Sequence, residues 1–246
     1  MQLVILAHAL DAGAQAVASV LAPILDHRLM VLRPEWLGQA FWSQRLDEQG
    51  RARTLLQWHG DRRLEGNQIG FVWNRIRLLP QAAFRASTTQ DRDYAAAELH
   101  ALVASWLAEL GERAEPPMCR HGSVIPALHH LHWVAVARQC GFALATGPSA
   151  PEDFAVLRTP IELWGSVKSN WPAPFVRACH GMAEKLGFAL LSLGFRGTPT
   201  APLLCSVDAQ PALSSLGEVR AVARWVTHRV NAVASPNARA AAEALT

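Results

Sequence analysis

Three histidines on one predicted helix, His129, His130 and His132, are the first residues whose types suggest chemistry. His129 and His132 stand at i and i+3 on one helical face, a spacing that can hold a metal ion. No His-Glu-x-x-His pattern accompanies them, and no third ligand follows at a diagnostic spacing, His121 being the nearest. A helix bearing histidines needs no metal, so the structural reading is favoured. Glu152, Asp153 and Glu162 could form an acid cluster with Arg158 as its charge partner, a pattern that solvated loop acids also produce. Gly122-Ser123 and Gly165-Ser166 set serines beside glycines, but neither lies in a Gly-x-Ser-x-Gly elbow, which argues against hydrolase chemistry. Asn74 and Arg75 close an apolar run, at the kind of strand end where open α/β sheets hold ligands. Arg75 has two readings of equal weight, a ligand contact or a partner for Asp91 at a domain join.

Composition narrows the classes. Half of the 246 residues are hydrophobic and 17% are charged, so a substantial core is expected. The net charge of +3 comes from 21 Arg and 2 Lys against 20 acids. That excess is too small for a nucleic-acid partner, and no basic block is interleaved with aromatics. Cys119, Cys140, Cys179 and Cys205 form no Cys-x-x-Cys pair, which excludes zinc-ribbon and thioredoxin readings and predicts reduced thiols in a cytoplasmic protein. The N-terminus has no basic region and meets Asp11, unlike a signal peptide. No apolar run approaches the roughly 18 residues that span a membrane.

The elements that must position these residues alternate at first between strand and helix. Residues 2–7 are a continuous apolar run, as a buried parallel strand would be. Residues 12–25 carry Val17, Val20, Leu21 and Leu25 at helical spacing, and 27–32 form a second strand. Pro34-Glu35 opens a turn or helix with Trp36, Leu37 and Phe41. Residues 44–61 are polar with one isolated strand or hairpin, and 68–75 form a third buried strand. Asp91 is expected to cap a helix over 94–110 that Gly111 stops. Helices follow at 127–140, 175–186 and 216–233. Strands are expected at 142–145, 153–157, 188–195 and 203–207, the last two as a hairpin across Gly197-Thr198-Pro199-Thr200.

The order of these segments resembles RimK-type ATP-grasp ligases. In that family a Val-Trp-x-Arg strand ends the front domain, and Val72-Trp73-Asn74-Arg75 matches it. Asp91 and Glu98 match the helix that follows. Ala137 and Gly141 match the next helix, without its lysine. The resemblance implies an α/β fold: a small doubly wound, pre-ATP-grasp-like front layer over 1–88, then a reduced α+β ATP-grasp-like unit over 89–246. It puts Arg158 in the place of a nucleotide-contacting lysine. It sets Ser206 and Asp208 where a Glu and an Asn would ligate magnesium.

A ligase of that family must neutralise a triphosphate and its magnesium ions. The chain has only Lys168 and Lys185 as lysines, and about ten residues after Pro160 where a glycine-rich loop and hinge would need many tens. The resemblance therefore implies a non-catalytic relative that needs no cofactor. It would bind a peptide or partner enzyme, as a helper in peptide modification. The alternative is an active, Mg-ATP-dependent carboxylate–amine ligase with an atypical site built on Arg158, Lys168 and Asp208. Candidate contacts are Trp73, Asn74 and Arg75 at the sheet end, and Trp164, Lys168 and Trp171 in a Pro-rich loop. Trp164 and Trp171 are the best candidates of nine tryptophans for an exposed recognition surface. A homo-oligomer is left open.

Overall fold

The structure, a computed structural model, describes residues 1–49, 52–58, 60, 62–76, 79, 88–116, 128–145, 152–165 and 171–234. Two compact units emerge: residues 1–125 with 226–246, and residues 126–225.

The first unit opens with the predicted parallel layer. Strand β1 (Gln2–Leu6) is apolar on both faces because helices or a second sheet cover both. Helix α1 (Ala12–Leu25) buries Ala14, Val17, Ala18, Leu21 and Leu25, the stripe expected of a helix laid on a sheet. Strand β2 (Leu29–Leu32) returns parallel to β1. A short helix, α2 (Pro34–Leu37), precedes an antiparallel sheet of β3 (Phe41–Leu46), β4 (Ala52–Trp58) and β5 (Arg62–Glu65). Strand β6 (Ile69–Asn74) pairs with the far side of β1, and the 22-residue helix α3 (Thr89–Leu110) leads to β7 (Ala114–Glu115) beside β6. The order β2-β1-β6-β7 is parallel throughout. Leu99, Val103, Trp106 and Leu110 of α3 pack with Val4, Leu6 and Val72, and with Leu56, Trp58 and Leu64 from the inner face of the antiparallel sheet.

The second unit is built on the order β10-β9-β11-β12-β8. Its elements are α4 (His130–Gln139), β8 (Ala143–Leu144), β9 (Phe154–Arg158), β10 (Leu163–Gly165), α5 (Ala173–Leu186), β11 (Leu191–Thr198) and β12 (Ala201–Asp208). Neighbours are antiparallel except β12 and β8. Phe154, Phe175 and Phe195 meet at the centre of the core with Trp133, Ala137, Met182 and Leu204. Helix α6 (Leu216–Ala234) contributes its second half to the first unit, where Arg229 stacks 5.4 Å from Phe71 and donates to the Glu112 carbonyl.

Several expectations need correction. Within the polar stretch, residues 44–46 and 52–58 belong with 62–65 to a full three-stranded sheet, of which β3 contributes little beyond Trp42 to the core. Thr88, not Asp91, caps α3: the Asp91 N–H donates to Thr88 Oγ1 at 3.2 Å, and that hydroxyl donates to the Asp91 carboxylate at 2.6 Å. Phe41 starts a strand instead of extending the helix at 34. Helix α3 packs in the first unit's core. The three residues Leu163–Gly165 form an unforeseen edge strand on β9.

Candidate functional site

The carboxyl end of the parallel sheet is the first place to look. Chain connections leave β1 and β6 in opposite directions, which makes a switch point between them. Trp73, Asn74 and Arg75 sit there and are all buried. Arg75 pairs with Asp11, not Asp91: Nε donates to Oδ2 at 3.0 Å and Nη2 to Oδ1 at 3.2 Å. The guanidinium also lies 5.2 Å from the Trp73 ring. Asp11 in turn accepts from the Ala14 N–H at 3.0 Å, capping α1. Asn74 Oδ1 accepts from the Ile76 N–H. One internal carboxylate thus answers both the arginine and the helix N-terminus, the two features that would have drawn an anionic ligand. Beside them His8 Nδ1 meets Glu35 at 3.2 Å.

In the second unit, β9 ends with Arg158 opposite Leu191 of β11. Its side chain turns inward and is 6% exposed. Nε donates to His180 Nδ1 at 3.1 Å, and Nη1 donates to the carbonyls of Ala189 at 3.0 Å and Phe188 at 3.4 Å. Burial and the Arg158 charge hold His180 below the usual histidine range, against the opposing effect of Glu184. Cys179 is buried, and desolvation pushes its thiol up to about 12, so it stays protonated and unreactive.

The three acids do not gather around Arg158. Glu162 makes a bidentate pair with Arg224 at 2.7–3.0 Å, Asp153 accepts from the Gly197 N–H at 2.7 Å, and Glu152 accepts from the Ser206 hydroxyl. Asp208 ends β12 and accepts from the Gln210 N–H at 2.8 Å.

Trp164 and Trp171 are half-buried, not exposed. Trp171 stacks on Phe175 at 5.3 Å and lies against Gly165, where an added Cβ would overlap its ring. Trp164 lies on Gly217 in the same way. Aromatic rings of this size find cover even in a Pro-rich segment. Lys168, His121, Ser123, Ser166 and Cys119 lie outside the described residues. His130 packs edge-on against Trp133 at 5.0 Å, and no group of three or more metal-ligating side chains occurs among the described residues.

An open cavity of about 890 Å³ lies in the first unit, and sequence reasoning missed it. Arg45, Asp47, Arg53, Glu65, Glu109 and Arg113 line it with the exposed side of the antiparallel sheet. Its walls come from segments far apart in the chain, so no local motif announces it. The one available signal was the charged alternation of residues 43–55.

Among the described residues no helix is long and apolar enough to cross a membrane. No protein-family model matches this chain, and no curated protein matches it. Solved structures do. The macrocyclase MdnC of Microcystis aeruginosa MRC, bound with precursor peptide MdnA, superposes with a TM-score of 0.71 at 12% identity over 93% of this chain and 100% of that chain. A RiPP-associated ATP-grasp ligase of Chryseobacterium gregarium, in complex with ADP and a leader and core peptide, gives 0.67 at 11% over 94% and 97%. The ATP-grasp ligase PsnB, complexed with minimal precursor, Mg and ADP, gives 0.63 at 12% over 93% and 98%. At such identities the likeness is one of fold: the chain has an ATP-grasp-like, mixed α/β fold.

Proposed function

We propose that this chain is a non-catalytic ATP-grasp-like protein of RimK-type descent that binds a peptide or a partner enzyme as a helper in peptide modification. The observation that carries the reading is the inward commitment of Arg158. Its guanidinium stands where the resemblance puts a phosphate-contacting lysine, yet it is hydrogen-bonded to His180 and to two main-chain carbonyls. The position of Ser206 also does not fit a magnesium ligand. Magnesium takes oxygen ligands in octahedral geometry. Ser206 supplies no carboxylate and donates its hydroxyl to Glu152, while Asp208 closes a turn onto Gln210. Only residues 159–172 lie between β9 and α5, and three of them form β10.

Peptide binding draws support from the solved relatives of this fold, of which MdnC is bound with a precursor peptide and the C. gregarium ligase with a leader and core peptide. The cavity in the first unit offers room for such a segment. The test is capture from a random-peptide display library by the immobilised whole chain, with and without Mg-ATP. Enrichment of a common sequence pattern that is the same in both arms is expected. No enrichment above bare matrix overturns peptide binding. Enrichment only with Mg-ATP overturns the non-catalytic reading in favour of an atypical ligase.

A further inference from the structure

We infer that β3 is a docking edge for a second copy of this chain, the two β3 strands pairing antiparallel about a two-fold axis at Gln44. The inference goes beyond the peptide-binding reading and does not rest on it.

The free side of β3 follows from the ladder. Strand β3 is an edge of the order β3-β4-β5. The Thr54 carbonyl accepts from the Gly66 N–H at 3.0 Å, on the β5 side of β4. Main-chain groups alternate along an antiparallel strand, so those of Arg53, Leu55 and Gln57 face β3. Their partners there are Arg45, Ser43 and Phe41. Trp42, Gln44 and Leu46 therefore point their N–H and C=O groups away from β4, and no main-chain partner meets them among the described residues. The usual guards of such an edge are missing. Residues 41–46 contain no Pro and no Lys, and the β3–β4 register runs without a bulge.

The strand is complementary to itself. Centred on Gln44, the axis sets Gln44 against its own counterpart, and Trp42 of each copy against Leu46 of the other. All three outward-facing residues then exchange main-chain bonds. A centre at Ser43 or Arg45 carries Leu46 or Trp42 past the end of the opposing strand. Trp42 packs on the core and meets Trp106 edge-on at 6.0 Å, so it and Leu46 share the face turned to α3. Leu46 is 74% exposed in one copy and gains that indole as its cross-strand neighbour. On the opposite face Phe41, 65% exposed, gains Arg45 of the second copy as a diagonal neighbour within cation–π reach. Arg45 itself makes no ion pair among the described residues, and it stands opposite Ser43, so no like charges meet across the axis. A foreign strand would have to match both exposed side chains and the register, whereas a second copy does so by symmetry.

One strand pair buries less than a standard stable interface, so association at about micromolar concentration is expected. Sedimentation velocity of the whole chain, from about 1 to about 100 μM, should move from monomer to dimer. Residue-resolved hydrogen exchange at the two ends of that range reads the register. The amides of Trp42, Gln44 and Leu46 should slow in the dimer far more than those of Phe41, Ser43 and Arg45, which β4 already holds. Leu46 is exposed, so Leu46→Glu leaves folding intact and is expected to weaken the dimer at least about tenfold, while Leu46→Ile keeps it. Gln44→Pro removes an N–H that only the second copy would use, and is expected to weaken it likewise. A monomer throughout, a dimer that Leu46→Glu leaves unmoved, or slowed exchange without the alternation along 41–46 each overturns the inference. The peptide-binding reading is decided separately, by the display selection.

Discussion

Arg158 donates its Nε–H to Nδ1 of His180 at 3.1 Å. That bond fixes the state of the imidazole. Nδ1 must carry the lone pair, so the ring is neutral with its proton on Nε2. Protonating His180 would turn an acceptor into a donor and set a second cation against the buried guanidinium.

The first prediction is a stability loss on acidification. Burial, then Arg158, lower the folded-state pKa of His180, while Glu184 opposes them. The unfolded chain therefore binds this proton more readily than the folded chain. The stability contribution is complete above the ordinary histidine value and is lost as pH falls through it towards the lower folded value. Chemical denaturation of the whole chain at about pH 7.5 and about pH 5.5 brackets that window. His180→Asn keeps an oxygen acceptor and is expected to reduce the acid-induced loss. An equal loss in the variant would contradict this assignment.

Asp11 and Arg75 should behave as a buried pair. Arg75 is 3% exposed on its side chain and Asp11 14%. Asp11→Ala takes this carboxylate away from a buried guanidinium and uncaps α1, and is expected to cost about 3–5 kcal/mol in urea denaturation. The double substitution Asp11→Ala with Arg75→Met removes the buried charge as well and should recover part of that loss. A cost below about 1 kcal/mol for Asp11→Ala would show a solvated, surface-like pair instead.

Gly165 tests the seating of Trp171. A methyl group at this position overlaps the indole ring. Gly165→Ala should destabilise the chain by about 1–3 kcal/mol, the range of overpacking in a filled core. Trp171→Leu in the same chain should return part of the loss, since it vacates the overlapping volume. Thermal melts of the two variants decide it. An unchanged melting temperature in Gly165→Ala would mean that Trp171 swings outward, as an exposed recognition residue would.

The sequence made the parallel layer legible because β1 and β6 are apolar on both faces, a pattern few other elements produce. Helix ends at Gly111, Gly141 and Gly187 were equally legible, each glycine having a positive φ. The three-stranded sheet was hidden, since its outward residues are polar and β3 brings little beyond Trp42 to the core. For Arg75 the sequence offers a ligand contact or a pair with Asp91 equally, and Asp11 becomes its neighbour only through the side-by-side pairing of β1 and β6. Local spacing carries no record of that contact. Trp164 and Trp171 were misjudged for a related reason: a Pro-rich stretch suggested exposure, while glycines far or near in sequence provided their cover. The cavity needs Ser43, Arg45, Asp47, residues 52–55 and 65–67, Glu109 and Arg113 together, and no window of sequence holds them.

Calorimetric titration of the whole chain with Mg-ATP tests the central claim most directly. A ligase-like site would need charge-assisted contacts that Arg158, committed to His180 and two carbonyls, and Ser206, which has no carboxylate, do not offer in this structure. Each such contact contributes about 1.5–3 kcal/mol, so the absence of two weakens micromolar binding by roughly two to four orders of magnitude. The account predicts no saturable heat at micromolar nucleotide. Saturable binding in the micromolar range, lost in Asp208→Asn, would contradict it and establish an active nucleotide site.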